Sequence, residues 1–294
     1  MFSKDGYTSK SLITSVKVRG VVDVGNQHIY YVKRWAVVVG IEKYENSDYD
    51  ATWADANALN WSYFLENNLG FDYICCYTNS EATESVVKAE LNYVFSHADE
   101  GDIVCFIFSG HGSHKKLMPI NKGYCLLMYD VLSDGTDGNN DGLLCDDELE
   151  PILAQCKAER IFLFFDTCHA GGFHYMLENL PNVEHIFFGG GAKHDGTAWV
   201  DCNNAQGCFT QCFLNDAWKE CFGGFPSVKF AYPGAEDINL KDKTYYYYNY
   251  HLNNGDPYYQ SAPENQPIFY DYYTDVNALK FFYLDKTGIL NPEI

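Results

Sequence analysis

From Trp35 onward, short continuous apolar runs alternate with longer stretches in which apolar residues recur every three or four positions. The runs WAVVVGI (35–41), YICCYT (73–78), IVCFIFSG (103–110), RIFLFFD (160–166) and HIFFGGG (185–191) are short and apolar at successive positions, which predicts strands buried on both faces. Between them, 54–67 places Ala58, Leu59, Ser62 and Leu65 on one helical face, and 81–97 places Val86, Val87, Leu91, Val94 and Phe95 on another. Residues 147–156 are also helical in pattern, and YCLLMYD (124–130) predicts a strand or hairpin arm. Strands alternating with amphipathic helices predict βαβ units, hence an α/β fold with a mostly parallel central sheet and helices on both faces. In such sheets functional groups collect beyond the carboxyl ends of the strands.

The rhythm sets the organisation of the chain. Residues 1–34 read as an N-terminal extension, with short strands in VKVRGVVDV and HIYYVKR. Residues 35–222 carry the strand–helix alternation. Residues 223–294 are rich in Tyr, Gly, Asn and Pro and read as a further part of the same domain, with a late strand at 267–272. The YYYYNY run (245–250) reads as loop or strand packing.

Charge narrows the partners. Forty acids against 20 bases give a formal charge of −20, which repels nucleic acid and anionic membrane surfaces and attracts basic peptides. The eleven cysteines are odd in number, and Cys75, Cys76, Cys105, Cys156, Cys208 and Cys212 sit in apolar runs. That usage predicts reduced, buried thiols, and no CxxC pair signals structural zinc. The N-terminus lacks the apolar stretch of a signal peptide and no apolar run approaches a membrane span, so a soluble cytoplasmic monomer is expected.

Two predicted strands end in polar chemistry: Ser109-Gly110-His111-Gly112 and Asp166-Thr167-Cys168-His169-Ala170-Gly171-Gly172. A thiol nucleophile needs an imidazole to take and return a proton, and donors for the oxyanion. Neighbouring strands would bring Cys168 and His111 together, with the backbone N–H groups of Gly112 and Cys168 as oxyanion donors. His169 is a competing base, but a residue next to the nucleophile on a strand end points away from it.

IVCFIFSGHG and IFLFFDTCHAGG resemble the histidine and cysteine strands of the caspase-like cysteine peptidases of clan CD, and of metacaspases especially. WAVVVGI with the helix after it resembles the first strand and helix of that family. The resemblance spans about residues 35–215 in order. Thr167 and Ala170 stand where Ser is common in metacaspases. It implies the caspase-like three-layer sandwich and cleavage of peptide or protein substrates after Arg or Lys by a Cys–His dyad, with no cofactor needed for the chemistry. It also implies that Asp55, Ser109 and Asp166 line the pocket for the basic P1 side chain. Asp55 has a structural alternative, a capping box with Thr52. The alternative for the whole chain is a catalytically silent or transpeptidase-type caspase-like fold, acting as a calcium-regulated interaction module.

One further motif stands apart. Residues 137–148 match the EF-hand loop, with Asp137, Asn139, Asp141, the Leu143 carbonyl and Glu148 as calcium ligands and Gly142 at the turn. The plain alternative is an acidic, glycine-rich turn capped by Asp146 or Asp147.

Overall fold

The centre of the molecule is set by strands that have no solvent-facing side. β1 (Arg34–Gly40), β3 (Ile103–Ser109) and β7 (Arg160–Asp166) lie side by side in a six-stranded sheet of order β11-β8-β7-β3-β1-β2. β2 (Tyr73–Thr78) forms one edge, and β8 (Ile186–Gly190) pairs in parallel with β7. β11 (Ile268–Asp271) closes the other edge and is antiparallel to β8. The computed structural model describes residues 32–114, 123–131, 141–201, 204–217 and 240–271. The expected strands before residue 32 lie outside them.

Alternation along the buried strands divides two cores. Val37, Val39, Phe106, Leu163 and Phe165 face one core, with Val87, Leu91 and Phe95 of α2 (Glu84–His97) and Leu149, Ile152 and Leu153 of α3 (Asp146–Ala154). Ala36, Val38, Ile107, Phe162 and Phe164 face the other, with Ala58, Trp61, Phe64 and Leu65 of α1 (Ala54–Asn67) and with Phe209 and Phe213. Helix, sheet and helix make the three-layer α/β sandwich that the apolar rhythm predicts.

The helix faces are rotated from expectation. Leu59 and Val86 are exposed, while Trp61 and Phe64 are fully buried. Aromatic side chains bury more area than Leu59 does, so the apolar stripe of α1 turns to seat them. Trp61 packs 4.7 Å from Phe164 and 5.7 Å from Phe213, centroid to centroid. The Thr52–Asp55 capping box does not form: α1 starts after Trp53 in a left-handed conformation (φ 66°), with no side-chain cap. At Gly40 a Cβ would lie 2.3 Å from the Ala54 carbonyl oxygen, so glycine lets the first turn of α1 rest on the end of β1.

Beyond β3, a small antiparallel sheet runs β4 (Gly112–His114), β5 (Tyr124–Leu127), β6 (Leu143–Cys145). Cys125 and Cys145 face each other across β5 and β6 and form a disulfide, contrary to the expectation that the thiols are reduced. The tyrosine run is not loop or strand. It lies in a helix, Leu240–Asn253, in which Tyr248 is buried and donates its hydroxyl to the Asn265 carbonyl at 3.0 Å, while Tyr246 and Tyr250 face outward. Tertiary packing of one face overrides the modest helix propensity of tyrosine. No helix of the described residues is long and apolar enough to cross a membrane.

Trp61→Ala should destabilise the fold by about 3–5 kcal/mol, read as a lower urea midpoint at unchanged slope.

Candidate active site

The parallel pairing of β3 with β7 sets Ser109 opposite Asp166. Adjacent strands are about 4.8 Å apart. His111 and Cys168 each follow that pair by two residues, so both motifs emerge at the same end of the sheet from neighbouring strands. Gly112, which opens β4, packs on the cysteine turn: a Cβ there would fall 2.3 Å from the Cys168 carbonyl oxygen.

His111 is held from several sides. Its N–H donates to the Tyr44 hydroxyl at 2.9 Å, and its carbonyl accepts from Leu127 N–H at 2.9 Å. Its ring lies 5.5 Å from the Tyr44 ring. Burial pushes its pKa below the ordinary imidazole value, and backbone hydrogen bonds with Tyr49 and Asp50 oppose that shift. Backbone groups that favour the protonated ring are carbonyl acceptors, so the loop after β1 orients the imidazole.

Cys168 is partly exposed, with Sγ 3.8 Å from the Ala198 carbonyl oxygen. Burial raises its thiol pKa, backbone contact with Ala198 offsets part of the rise, and the Asp166 carboxylate adds to it. Both shifts favour the uncharged forms, thiol and imidazole. His169 is committed elsewhere. It takes a left-handed conformation (φ 59°), its Nδ1 lies 3.2 Å from the His194 carbonyl, and its ring packs edge-on 4.5 Å from that of His114. Burial depresses its pKa, and the neighbouring His114 depresses it further.

Buried polar groups cluster where β3 and β7 end. Asp166 Oδ2 accepts from the Thr210 N–H at 3.0 Å and its hydroxyl at 2.6 Å. Ser109 Oγ accepts from Asn57 Nδ2 at 2.8 Å, and Asn57 Oδ1 accepts from Gly207 N–H at 3.1 Å. At Gly207 a Cβ would lie 2.1 Å from Asp166 Oδ2, so the chain passes directly over the carboxylate. Two hydrogen-bonded sets, Ser109–Asn57–Gly207 and Asp166–Thr210, thus meet where Gly207 passes the carboxylate. The Asp55 carboxylate lies on another contact, accepting from Ala56 N–H at 2.7 Å and Asn79 Nδ2 at 3.3 Å. Burial raises the Asp166 pKa to about 6, although the Thr210 donors pull it down.

Sequence reading missed Tyr44, Asn57 and Thr210. Tyr44 and Thr210 belong to no motif. Asn57 carried a signal, being a polar residue on the inward side of α1, where it is buried.

The expected calcium loop is described only in part. Asp137 and Asn139 lie outside the described residues. Glu148, the required bidentate ligand, is engaged at both oxygens: Oε1 by Lys88 Nζ at 2.7 Å and Oε2 by Cys145 N–H at 3.1 Å. Asp141 is buried and accepts from Leu143 N–H at 3.0 Å, and Leu143 itself is paired in β6 with Leu127. The lysine ammonium supplies the positive charge that a calcium ion would bring, and Glu148 completes the capping box of α3.

A family model described as the caspase domain matches residues 33–226. No curated protein matches the chain. Among solved structures, it is similar to a Geobacter sulfurreducens protein solved by structural genomics, with TM-score 0.53 and 16% identity, covering 81% of this chain and 92% of that one. It is also similar to caspase-1 from Spodoptera frugiperda, with TM-score 0.51 and 13% identity, covering 86% of this chain and 92% of that one. At these identities the structural likeness concerns the fold.

The raised pKa of Asp166 has a definite sign. The folded chain holds this proton to a higher pH than the unfolded chain, so stability is lost as pH rises from 3.8 through about 6. Asp166→Asn should remove that loss. Wild type should lose about 2 kcal/mol relative to the variant between about pH 4 and about pH 7, measured by urea unfolding across that range.

Proposed function

The chain belongs to the caspase-domain family, and on that premise we propose that it is a cysteine endopeptidase that cleaves after Arg or Lys, with Cys168 as nucleophile and His111 as its acid–base partner. The observation that carries this reading is the β3–β7 register, which gives the two residues equivalent positions beyond paired strand ends.

In this mechanism neutral His111 takes the Cys168 proton as sulfur attacks the scissile carbonyl, and the imidazolium then protonates the leaving amine. The Gly112 and Cys168 N–H groups receive the oxyanion. Water, deprotonated by His111, hydrolyses the thioester and restores the thiol. The carbonyls of Tyr49 and Asp50 stabilise the imidazolium as it forms, where a carboxylate would do so in a triad. No cofactor enters.

The specificity rests on Asp166. Both of its described hydrogen bonds come from Thr210, and no described ion pair neutralises it. A carboxylate buried without a cation is costly, and a P1 guanidinium or ammonium reaching it would relieve that cost. Ser109 adds a polar wall beside it. Asp55 contributes to the same pocket if substrate draws it away from Asn79. The charge of −20 favours approach of basic peptides.

Peptides with Arg or Lys at P1 should be cleaved and Asp-P1 peptides left intact; robust Asp-P1 turnover overturns the pocket assignment. Cys168→Ala should abolish cleavage. His111→Ala should lower kcat/KM by about 10²–10⁴-fold and erase the acid limb of the pH profile, which in wild type lies below the ordinary imidazole range. Full activity of the His111 variant would remove that residue from the dyad.

A further inference from the structure

The helical segment after β10 (Gln206–Gly207) contains an uncommon element. A short helical turn, Cys208–Thr210, continues as a seven-residue π-helix, Gln211–Ala217. π-Helical turns are rare and recur at functional sites. With i→i+5 bonding, residues four apart fall close to one face, so Cys212 and Asp216 project together although neither makes a sequence motif.

Opposite them is His251, in the last turn of the Leu240–Asn253 helix. Its Nε2 lies 3.0 Å from Asp216 Oδ2. One ligand atom from each of Cys212, Asp216 and His251 lies within 4.8 Å of the other two. The far side of the imidazole is also arranged: Nδ1 lies 3.9 Å from Asp256 Oδ2, and the ring stacks on Tyr259 at 4.6 Å and 11°. Asp256 is fixed in turn by Tyr258 N–H, which donates to its Oδ1 at 3.1 Å. The second oxygen of Asp216 accepts from Gln211 Nε2 at 3.2 Å. Cys212 is fully buried and the other two side chains are partly exposed, at 19% for His251 and 21% for Asp216.

We propose that Cys212, Asp216 and His251 bind a zinc ion, distinct from the dyad. The donor set is sulfur, nitrogen and oxygen, the mixture that zinc accepts at about 2.3, 2.0–2.1 and 2.0–2.2 Å. The Nε2–Oδ2 separation already matches two ligands of one tetrahedral ion. Asp256 supplies the carboxylate on the remote imidazole nitrogen that commonly orients a metal-bound histidine. Binding converts the Cys212 thiol to a thiolate and releases its proton. Solvent fills the fourth position on the exposed side. The ion would tie the π-helix to the Leu240–Asn253 helix, and because Thr210 precedes Cys212 by two residues, it would steady the donors on Asp166 as well. Among the described residues the other cluster of this kind, Cys145, Asp147 and Glu148, has its sulfur in the disulfide and its glutamate on Lys88.

The test uses the full chain carrying Cys168→Ala, so that the dyad cannot hold the metal. Purified without chelators, it should contain stoichiometric zinc by elemental mass spectrometry. A chelator should lower its Tm, and added zinc should restore it. Cobalt replacement should give a thiolate-to-metal charge-transfer band that Cys212→Ala removes and His251→Gln weakens. Absence of stoichiometric zinc together with no Tm shift on adding zinc overturns the site and leaves an Asp216–His251 ion pair. A cobalt–thiolate band that persists without Cys212 overturns it too. If a variant does not fold, the metal content and cobalt spectrum of the parent protein still decide.

Discussion

The candidate site depends on one pairing. β3 and β7 are each buried at every position, so their register is held by side chains packed on both faces. A slip of one residue would send Phe106 and Phe165 into the wrong core and reverse every neighbour. That penalty is what fixes Ser109 against Asp166, the pair after which both the His111 and the Cys168 motifs leave the sheet. The proposed reacting groups follow strand ends, so the places where their motifs begin are set by the interior of the sheet. Loops alone would not hold such geometry.

The strands were legible because burial on both faces leaves an unbroken apolar run, a pattern that surface detail does not disturb. The two motifs were legible because glycines and reactive side chains meet at strand ends. Failures came where partners far apart in sequence decide the outcome. Leu59 and Val86 fit a helical stripe but lose the buried side to Trp61, Phe64 and Val87. The 245–250 tyrosines suggest strand or loop, yet become helix once Tyr248 is buried and finds the Asn265 carbonyl. Cys125 and Cys145 meet through β-pairing that spacing cannot reveal. Asn57 and Thr210 matter only because α1 and the segment after β10 converge on Ser109 and Asp166.

Asp166 shows how energetics and function intersect. Burial makes its charge expensive, and the chain answers with two donors from one threonine and no described ion pair. A carboxylate so placed is a poor stabilising element at neutral pH and a good receptor for a cation. Its donors come from a segment that packs on the Leu240–Asn253 helix, so residues well beyond β3 and β7 help to set its surroundings. Glu148 differs: it has a cation within the chain, since Lys88 reaches one of its oxygens and the Cys145 N–H the other.

The Cys125–Cys145 bond has a consequence for a broken chain. It joins β5 to β6. A single cut of the backbone between β5 and β6 would therefore release no fragment, since the bond still tethers the products. His111 would lie on one product and Cys168 on the other, with the β3–β7 ladder still clasping them. Covalent continuity along the backbone and the juxtaposition of the two motifs are separable in this architecture.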